Sequence, residues 1–287
     1  MKSLLEYLHE ADEKKIAVGH FNISDIAALK AIFESARELD LPVIIGVSEG
    51  EREFVGVSQA AALVSSLRHE YNYPIFLNAD HTHSIEKVKE AAMADFDQII
   101  FDGSNLPLEE NIKKTKEAVA LAKSINPNVV IEGEIGFIGT SSEVMDKVPE
   151  GLELTKPEDA KRYMDETGAD VLAPAVGNMH GLLKSMVSGG VQKRLRIDLI
   201  KQIKEATGGK FMTLHGGSGT ADEDFVAAVK AGMNIVHVNT EIRIAWRKGV
   251  EKALLENPEE VAPYKILPLA VSEVSKVVKN RLQLFNS

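Results

Sequence analysis

The sequence predicts an α/β protein built as a (β/α)8 barrel. Three observations carry that reading. Short β-branched runs alternate with amphipathic helical stretches; there are eight such runs; and no long linker separates them. The chain has 287 residues, close to the roughly 250 typical of this architecture. No domain boundary is expected, so residues 1–287 are read as one barrel domain.

The runs read as strands are Ile16–Asn22, Val43–Val47, Ile75–Asn78, Gln98–Phe101, Val129–Gly133, Val171–Pro174, Lys210–Leu214 and Asn234–Val238. Helix starts are marked by their caps. Ser24-Asp25 precedes the apolar positions Ile26, Leu29, Ile32 and Phe33, and Ser84 opens another stretch. Pro157 falls in the first turn of a helix that should end near Gly168. Two segments break the rhythm, Gly139–Glu153 and Gly181–Arg194. Both are rich in Gly, Ser and charge, and each follows a strand, where long barrel loops commonly cover a site.

Composition narrows the function. The chain is 44% hydrophobic and 26% charged, which excludes a disordered polymer. It has no cysteine, so disulfides, thiolate nucleophiles and cysteine-held metals are excluded. The net charge of −10 argues against a nucleic-acid partner, and an anionic substrate would need a local grip. The apolar runs are too short to span a membrane, and the acidic stretch after Ser3 is unlike a signal peptide. A cytoplasmic protein is expected.

Barrel chemistry sits where the strands end. The residues there are Asn22, Ser48, Asp80-His81, Asp102, Glu134, His180, His215 and His237-Val238-Asn239. His81, His180 and His215, from three strands, are candidate ligands of a catalytic zinc with one position left open. The plain alternative is three unrelated rim histidines. His83 is read as a non-ligand, His9 and His69 as solvated, and His20 as a satisfied core histidine. Gly216-Gly217-Ser218-Gly219-Thr220 follows the seventh strand and precedes a helix, a place where backbone N–H groups receive phosphate. Asp80, beside the first candidate ligand, is read either as a proton carrier or as an orienting partner of a histidine.

Asn78-Ala79-Asp80-His81-Thr82-His83-Ser84, Phe101-Asp102-Gly103-Ser104, Glu132-Gly133-Glu134-Ile135-Gly136, His180-Gly181, His215-Gly216-Gly217-Ser218-Gly219 and Asn239-Thr240-Glu241-Ile242-Arg243 occur in this order. Together they resemble the class II, zinc-dependent fructose-bisphosphate and tagatose-bisphosphate aldolases, from about the first strand to Arg281. The resemblance implies Zn²⁺ on His81, His180 and His215, with Asp102 and Glu134 at a second or alternative metal position. Asp80 would move the proton of the ketose C4 hydroxyl. Gly181, Gly216, Gly217 and Ser218 would receive the phosphate of dihydroxyacetone phosphate, with a monovalent cation (Na⁺ or K⁺) nearby. Ser48 and Asn22 would contact the sugar chain, Asn239 and Thr240 the substrate, and Arg243 the far phosphate. A homodimer or homotetramer is expected.

Two departures from the family pattern matter. On the loop after Glu134 the family places a glutamate that exchanges a proton with dihydroxyacetone phosphate. Here Ser142 stands at the commonest spacing and Glu143 one residue on, and Glu143 is assigned the role. At the eighth strand the family's asparagine, which donates to the ligand, aligns without a gap to His237. An imidazole N–H can donate too, so His237 is assigned to substrate binding.

The expected reaction is cleavage of fructose 1,6-bisphosphate through a zinc-stabilised enediolate. Tagatose 1,6-bisphosphate is the alternative substrate. A metal-dependent hydrolase and a non-catalytic phosphate-binding barrel are the more distant rivals. A lysine Schiff base is disfavoured, because no lysine stands at a strand end.

Overall fold

A computed structural model describes residues 2–139, 142–187 and 189–287. Thr140, Ser141 and Ser188, inside the two predicted long loops, lie outside the described residues. Among the described residues there are ten strands: β1 (Val18–Asn22), β2 (Val43–Val47), β3 (Ile75–Thr82), β4 (Gln98–Phe101), β5 (Val130–Ile135), β6 (Val144–Met145), β7 (Val171–Pro174), β8 (Leu182–Leu183), β9 (Phe211–Leu214) and β10 (Ile235–Val238). Eight of them close a parallel barrel in the order β1-β10-β9-β7-β5-β4-β3-β2. The predicted (β/α)8 architecture is therefore present. Every barrel strand is buried along its length except for Phe211 and His81, both partly exposed, because helices cover the outside and side chains fill the inside.

The helix caps fall where composition placed them. Asp25 accepts from Ala28 N–H and Ser84 from Lys87 N–H. Pro157 occupies the first turn of the helix Pro157–Thr167, and Gly168 ends it at φ +72°. The main core lies between barrel and helices, with Phe21, Ile45, Leu77, Ile99, Leu172 and Val236 among its members.

Three features depart from the sequence reading. The acidic stretch after Ser3 is a helix, Leu4–Lys14, whose apolar stripe of Leu4, Leu8 and Ala11 plugs the amino-terminal end of the barrel against Val18, Ile44, Phe76 and Ile235. Burying a leucine such as Leu8 is worth roughly 1.5–3 kcal/mol. The two long loops are joined, because β6 and β8 pair in parallel, Val144 with Leu182 and Met145 with Leu183. Finally, β3 runs four residues past Asn78, through a register shift between Ala79 and Thr82. His81 sits there at φ +42°, a left-handed conformation a non-glycine residue holds only when its surroundings fix it. Arg52 does so. Its buried guanidinium donates to Val47 O (2.6 Å), Asp80 O (3.2 Å) and Thr82 Oγ1 (3.1 Å).

Candidate active site

Three barrel strands bring His81, Glu134 and His215 together with His180, which lies in the loop after β7 and not at a strand end as expected; one ligand-capable atom from each lies within 4.8 Å of the others. The second-layer partners show which nitrogens face inward. His81 Nδ1 stands 2.9 Å from Asp102 Oδ2, so its N–H donates there and the Nε2 lone pair is left for the centre. His215 Nε2 stands 2.6 Å from Glu132 Oε1, which leaves Nδ1 for the centre. His81 Nε2 and His215 Nδ1 are 3.1 Å apart. Two nitrogens on one tetrahedral zinc stand about 3.3 Å apart. Glu134 Oε2 is buried with no hydrogen-bond partner and lies 3.3 Å from His81 Nδ1 and 3.7 Å from His215 Nδ1. Burial, reinforced by Asp102, pushes Glu134 up to about 8, the direction a bound cation would reverse. Facing lone pairs and an orphaned carboxylate oxygen make a donor set that fits a divalent metal.

Asp102 stands behind this cluster rather than in it. One oxygen accepts from His81, and the other accepts from Ser104 N–H (3.0 Å) and Oγ (2.6 Å). Glu132 was not expected. It is fully buried on β5 and also accepts from Gln98 Nε2 (2.7 Å) and Thr213 Oγ1 (2.5 Å). The alternation of inward residues on β5 placed it one layer below Glu134, which was the available signal. His83 is half exposed, with Nδ1 3.3 Å from Asp102 O, and is absent from the cluster.

Asp80 is buried beside the cluster. Its Oδ2 accepts from Asn22 Nδ2 at 2.8 Å, while Oδ1 has no hydrogen-bond partner. Burial opposes its ionisation, but His81 and His237 hold it well below the usual carboxylate range. Asn22 Nδ2 also donates to Glu51 Oε2 at 2.8 Å, so both its donors are engaged within the protein. Glu51 reaches back to Ser48 N–H (2.8 Å) and receives Arg243 Nη2 (2.7 Å). The Ser48-x-x-Glu51 spacing of a capping box was the sequence signal for Glu51.

His237 is buried on β10, in register with His20 on β1. The two rings stack 3.4 Å apart and 2° from parallel, and His237 stacks on His215 from its other side at 4.2 Å. Gly46 makes this possible, since a Cβ there would stand 2.1 Å from His20 Cε1. His20 accordingly differs from a satisfied core histidine: Nε2 meets Asn78 Nδ2 at 2.9 Å, but Nδ1 has no partner. His237 Nδ1 is 3.6 Å from Asp80 Oδ1, and Nε2 is unpartnered. Burial and the adjoining His20 and His215 rings hold His237 well below the ordinary imidazole range.

Above the cluster opens a cavity of about 650 Å³, lined by Ser48, Asp80, His81, Glu143, His180, Asn239 and Arg243 among others. A smaller recess beside it is lined by Asn22, Gly181, Gly216, Ser218, His237, Asn239 and Thr240. No amide of Gly181, Gly216 or Ser218 donates to an acceptor among the described residues. Gly217 differs from the expectation, because its N–H donates to His237 O at 3.1 Å. Glu143 is exposed at the mouth, and its carbonyl accepts from Leu182 N–H. Ser142 lines both spaces, and its carbonyl accepts from Thr240 Oγ1 at 3.1 Å. Asn239 Oδ1 is buried without a partner.

Lysines reach the rim from outside the strand ends, where none was expected. Lys114 lines the outer cavity, and Lys193 is buried beside the recess with Nζ on the carbonyls of Met179 (2.7 Å), Gly181 (2.7 Å) and Gly216 (2.9 Å). Neither belongs to a strand; Lys193 comes from the second long loop, which no local pattern connects to the strand ends.

Comparison with known proteins adds an independent finding. The family model described as fructose-bisphosphate aldolase class-II matches residues 2–287. The chain is 34% identical over 288 residues to the fructose-bisphosphate aldolase of Staphylococcus aureus, covering 99% of this chain and 97% of that one. It is 33% identical, with the same coverage, to the probable fructose-bisphosphate aldolase of Bacillus subtilis. A solved structure of a putative fructose-1,6-biphosphate aldolase from Coccidioides immitis has TM-score 0.83 at 25% identity, over 99% of this chain and 96% of that chain. The YdjI aldolase from Escherichia coli K12 shares the fold, with TM-score 0.81 at 24% identity, over 100% and 98% of the two chains.

Proposed function

Since the chain belongs to the class II fructose-bisphosphate aldolase family, and is thus a lyase, we propose that it cleaves fructose 1,6-bisphosphate to dihydroxyacetone phosphate and glyceraldehyde 3-phosphate, with tagatose 1,6-bisphosphate as the alternative substrate. The observation that carries this reading is the convergence of His81, His180, His215 and Glu134 beside a buried, half-partnered Asp80. His81, His180 and His215 would hold Zn²⁺, with Glu134 as the further donor and Asp102 and Glu132 orienting the imidazoles. When bound, the metal supplies a Lewis acid that stabilises negative charge on the ketose oxygens.

The protein's own groups do the rest. Asp80 is fixed by Asn22 through Oδ2, so Oδ1 is held ready to take the C4 hydroxyl proton. As that proton leaves, the C3–C4 bond breaks, C4 becomes the aldehyde carbon and the electron pair stays with C3. Glu143, on the loop at the mouth, returns a proton to C3. The amides of Gly181, Gly216 and Ser218 bind the phosphate of the dihydroxyacetone phosphate half, and His237, Asn239 and Thr240 complete that recess. Ser48 and Arg243 line the outer cavity; they would meet the rest of the sugar chain, Arg243 at the far phosphate.

Residues 1–287 are read as one barrel domain working in the cytoplasm as a homodimer or homotetramer. Among the described residues no helix is long and apolar enough to cross a membrane. The experiment that tests the function is a coupled triose assay on both ketose bisphosphates, with and without a chelator. Triose formation that a chelator abolishes is expected. Phosphate release without triose would indicate a metal-dependent hydrolase instead.

A further inference from the structure

Lys193 is a buried ionisable group at the barrel mouth for which the reaction above has no use. Its backbone bridges to Thr220, with N–H donating to Gly219 O (2.9 Å) and O accepting from Ala221 N–H (3.2 Å). That places the residue across the loop following His215. Its side chain then turns inward and donates to three carbonyls. Met179 and Gly181 lie on either side of His180, and Gly216 follows His215. The two loops meet here as closely as backbone allows. Gly216 has φ +57°, and a Cβ on it would stand 2.3 Å from Met179 O.

Three carbonyl oxygens converging on one point repel one another and demand a cation. Oxygen clusters of this kind take Na⁺ or K⁺ when no side chain fills them. In this chain Nζ fills it. Burial pushes Lys193 down to about 7, with Glu241 opposing. The three acceptors also oppose that shift: an ammonium offers three N–H donors, whereas a free amine would aim its lone pair at one of the oxygens. Among the described residues no carboxylate lies within ion-pair distance of Nζ, so its charge is not cancelled locally. The recess lined by Gly181, Gly216 and Ser218 adjoins it.

We propose that the Lys193 ammonium is this protein's built-in cation: it stands where a free Na⁺ or K⁺ was expected, ties the His180 and His215 loops together, and supplies positive charge to a phosphate seated on Gly181, Gly216 and Ser218. The Na⁺ or K⁺ expected from the sequence therefore does not fit this site. The identity of the anion rests on the aldolase reading. Lys193 acts through the loops and its field, so it is a positioning residue.

The test is calorimetric titration of the zinc-loaded protein with dihydroxyacetone phosphate and, separately, with inorganic phosphate. Each is done in tetramethylammonium buffer and again with K⁺ or NH₄⁺ added. The wild type is expected to bind equally in both salts, within about twofold. Lys193→Ala is expected to bind on the order of 10- to 100-fold more weakly in tetramethylammonium, the range for hydrogen bonds to a charged group. K⁺ or NH₄⁺ should restore much of that loss, with zinc content unchanged. If Lys193→Ala does not fold, Lys193→Met keeps the stem, drops the charge and carries the comparison of binding. A wild type that needs K⁺ or Na⁺ overturns the proposal, as does a folded variant that binds like the parent. A loss that no small cation restores would make Lys193 a packing residue and overturns it too. A wild type that binds neither probe in either salt breaks the aldolase reading itself, whereas normal wild-type binding with an unaffected variant breaks only the Lys193 assignment.

Discussion

His81 Nε2 and His215 Nδ1 face each other at 3.1 Å, and each ring is held by a carboxylate on its far nitrogen, Asp102 for His81 and Glu132 for His215. With those protons committed outward, the inward nitrogens present lone pairs to one point. The pairing gives Glu132 the same orienting place behind His215 that Asp102 has behind His81 in the proposed metal centre.

Glu132→Gln should therefore weaken zinc binding by about 10- to 100-fold, the usual cost of losing an orienting partner. The amide can present its N–H₂ to His215 Nε2 and favour the wrong tautomer. Zinc content after dialysis against graded chelator measures this. Affinity equal to the parent's would show that the buried carboxylate serves the barrel interior alone.

Asp80→Ala should keep its zinc and lose about 10²–10⁴-fold in the rate of C–C cleavage, the range for a general acid–base group. Metal analysis and the triose assay on the same preparation separate the two effects. Loss of zinc from this variant would recast Asp80 as an orienting residue.

Borohydride added with fructose 1,6-bisphosphate should leave the protein's mass unchanged. The structure does contain a buried lysine next to the recess, but Nζ of Lys193 is turned onto three carbonyls, and attack on a ketone would require it to leave them. An adduct mapped to Lys193 or Lys114 would overturn the metal mechanism.

His237→Ala should lower turnover, since a donor to developing negative charge is worth about 2.7–4 kcal/mol. His237→Asn should keep most of the activity, because an N–H donor survives, while melting lower for want of the stack with His20. Steady-state kinetics and thermal melts of both variants check this. Parental cleavage by His237→Ala would make the position a spacer and turn attention to Asn239, whose buried Oδ1 lacks a partner.

Much of this was legible beforehand. The strand ends at Asp80-His81, Asp102, Glu134 and His215 follow from period-two and helical patterning, which are local properties, and the structure gathers them at one rim with His180, which comes from the loop after β7. Patterning could not divide them into ligands and supports. Asp102 and Glu134 are both acids at strand ends, yet Asp102 accepts from a histidine's outer nitrogen, while Glu134 Oε2 lies between His81 and His215 without a hydrogen-bond partner. That division depends on side-chain direction across the barrel, to which neighbouring residues contribute nothing.

The amino-acid order by itself determined the alternation of strands and helices, the caps at Asp25, Ser84 and Pro157, and which residue types arrive at the carboxyl ends. All of these follow from interactions within a few residues along the chain. Only the tertiary structure decided the left-handed turn at His81 under Arg52, the His20–His237 stack made possible by Gly46, and the reach of Lys193 to carbonyls 12 to 23 residues away. These contacts exist because closing the barrel brings distant loops to one rim. Buried polar groups there must find partners, and the partners available are set by packing rather than by spacing in the sequence.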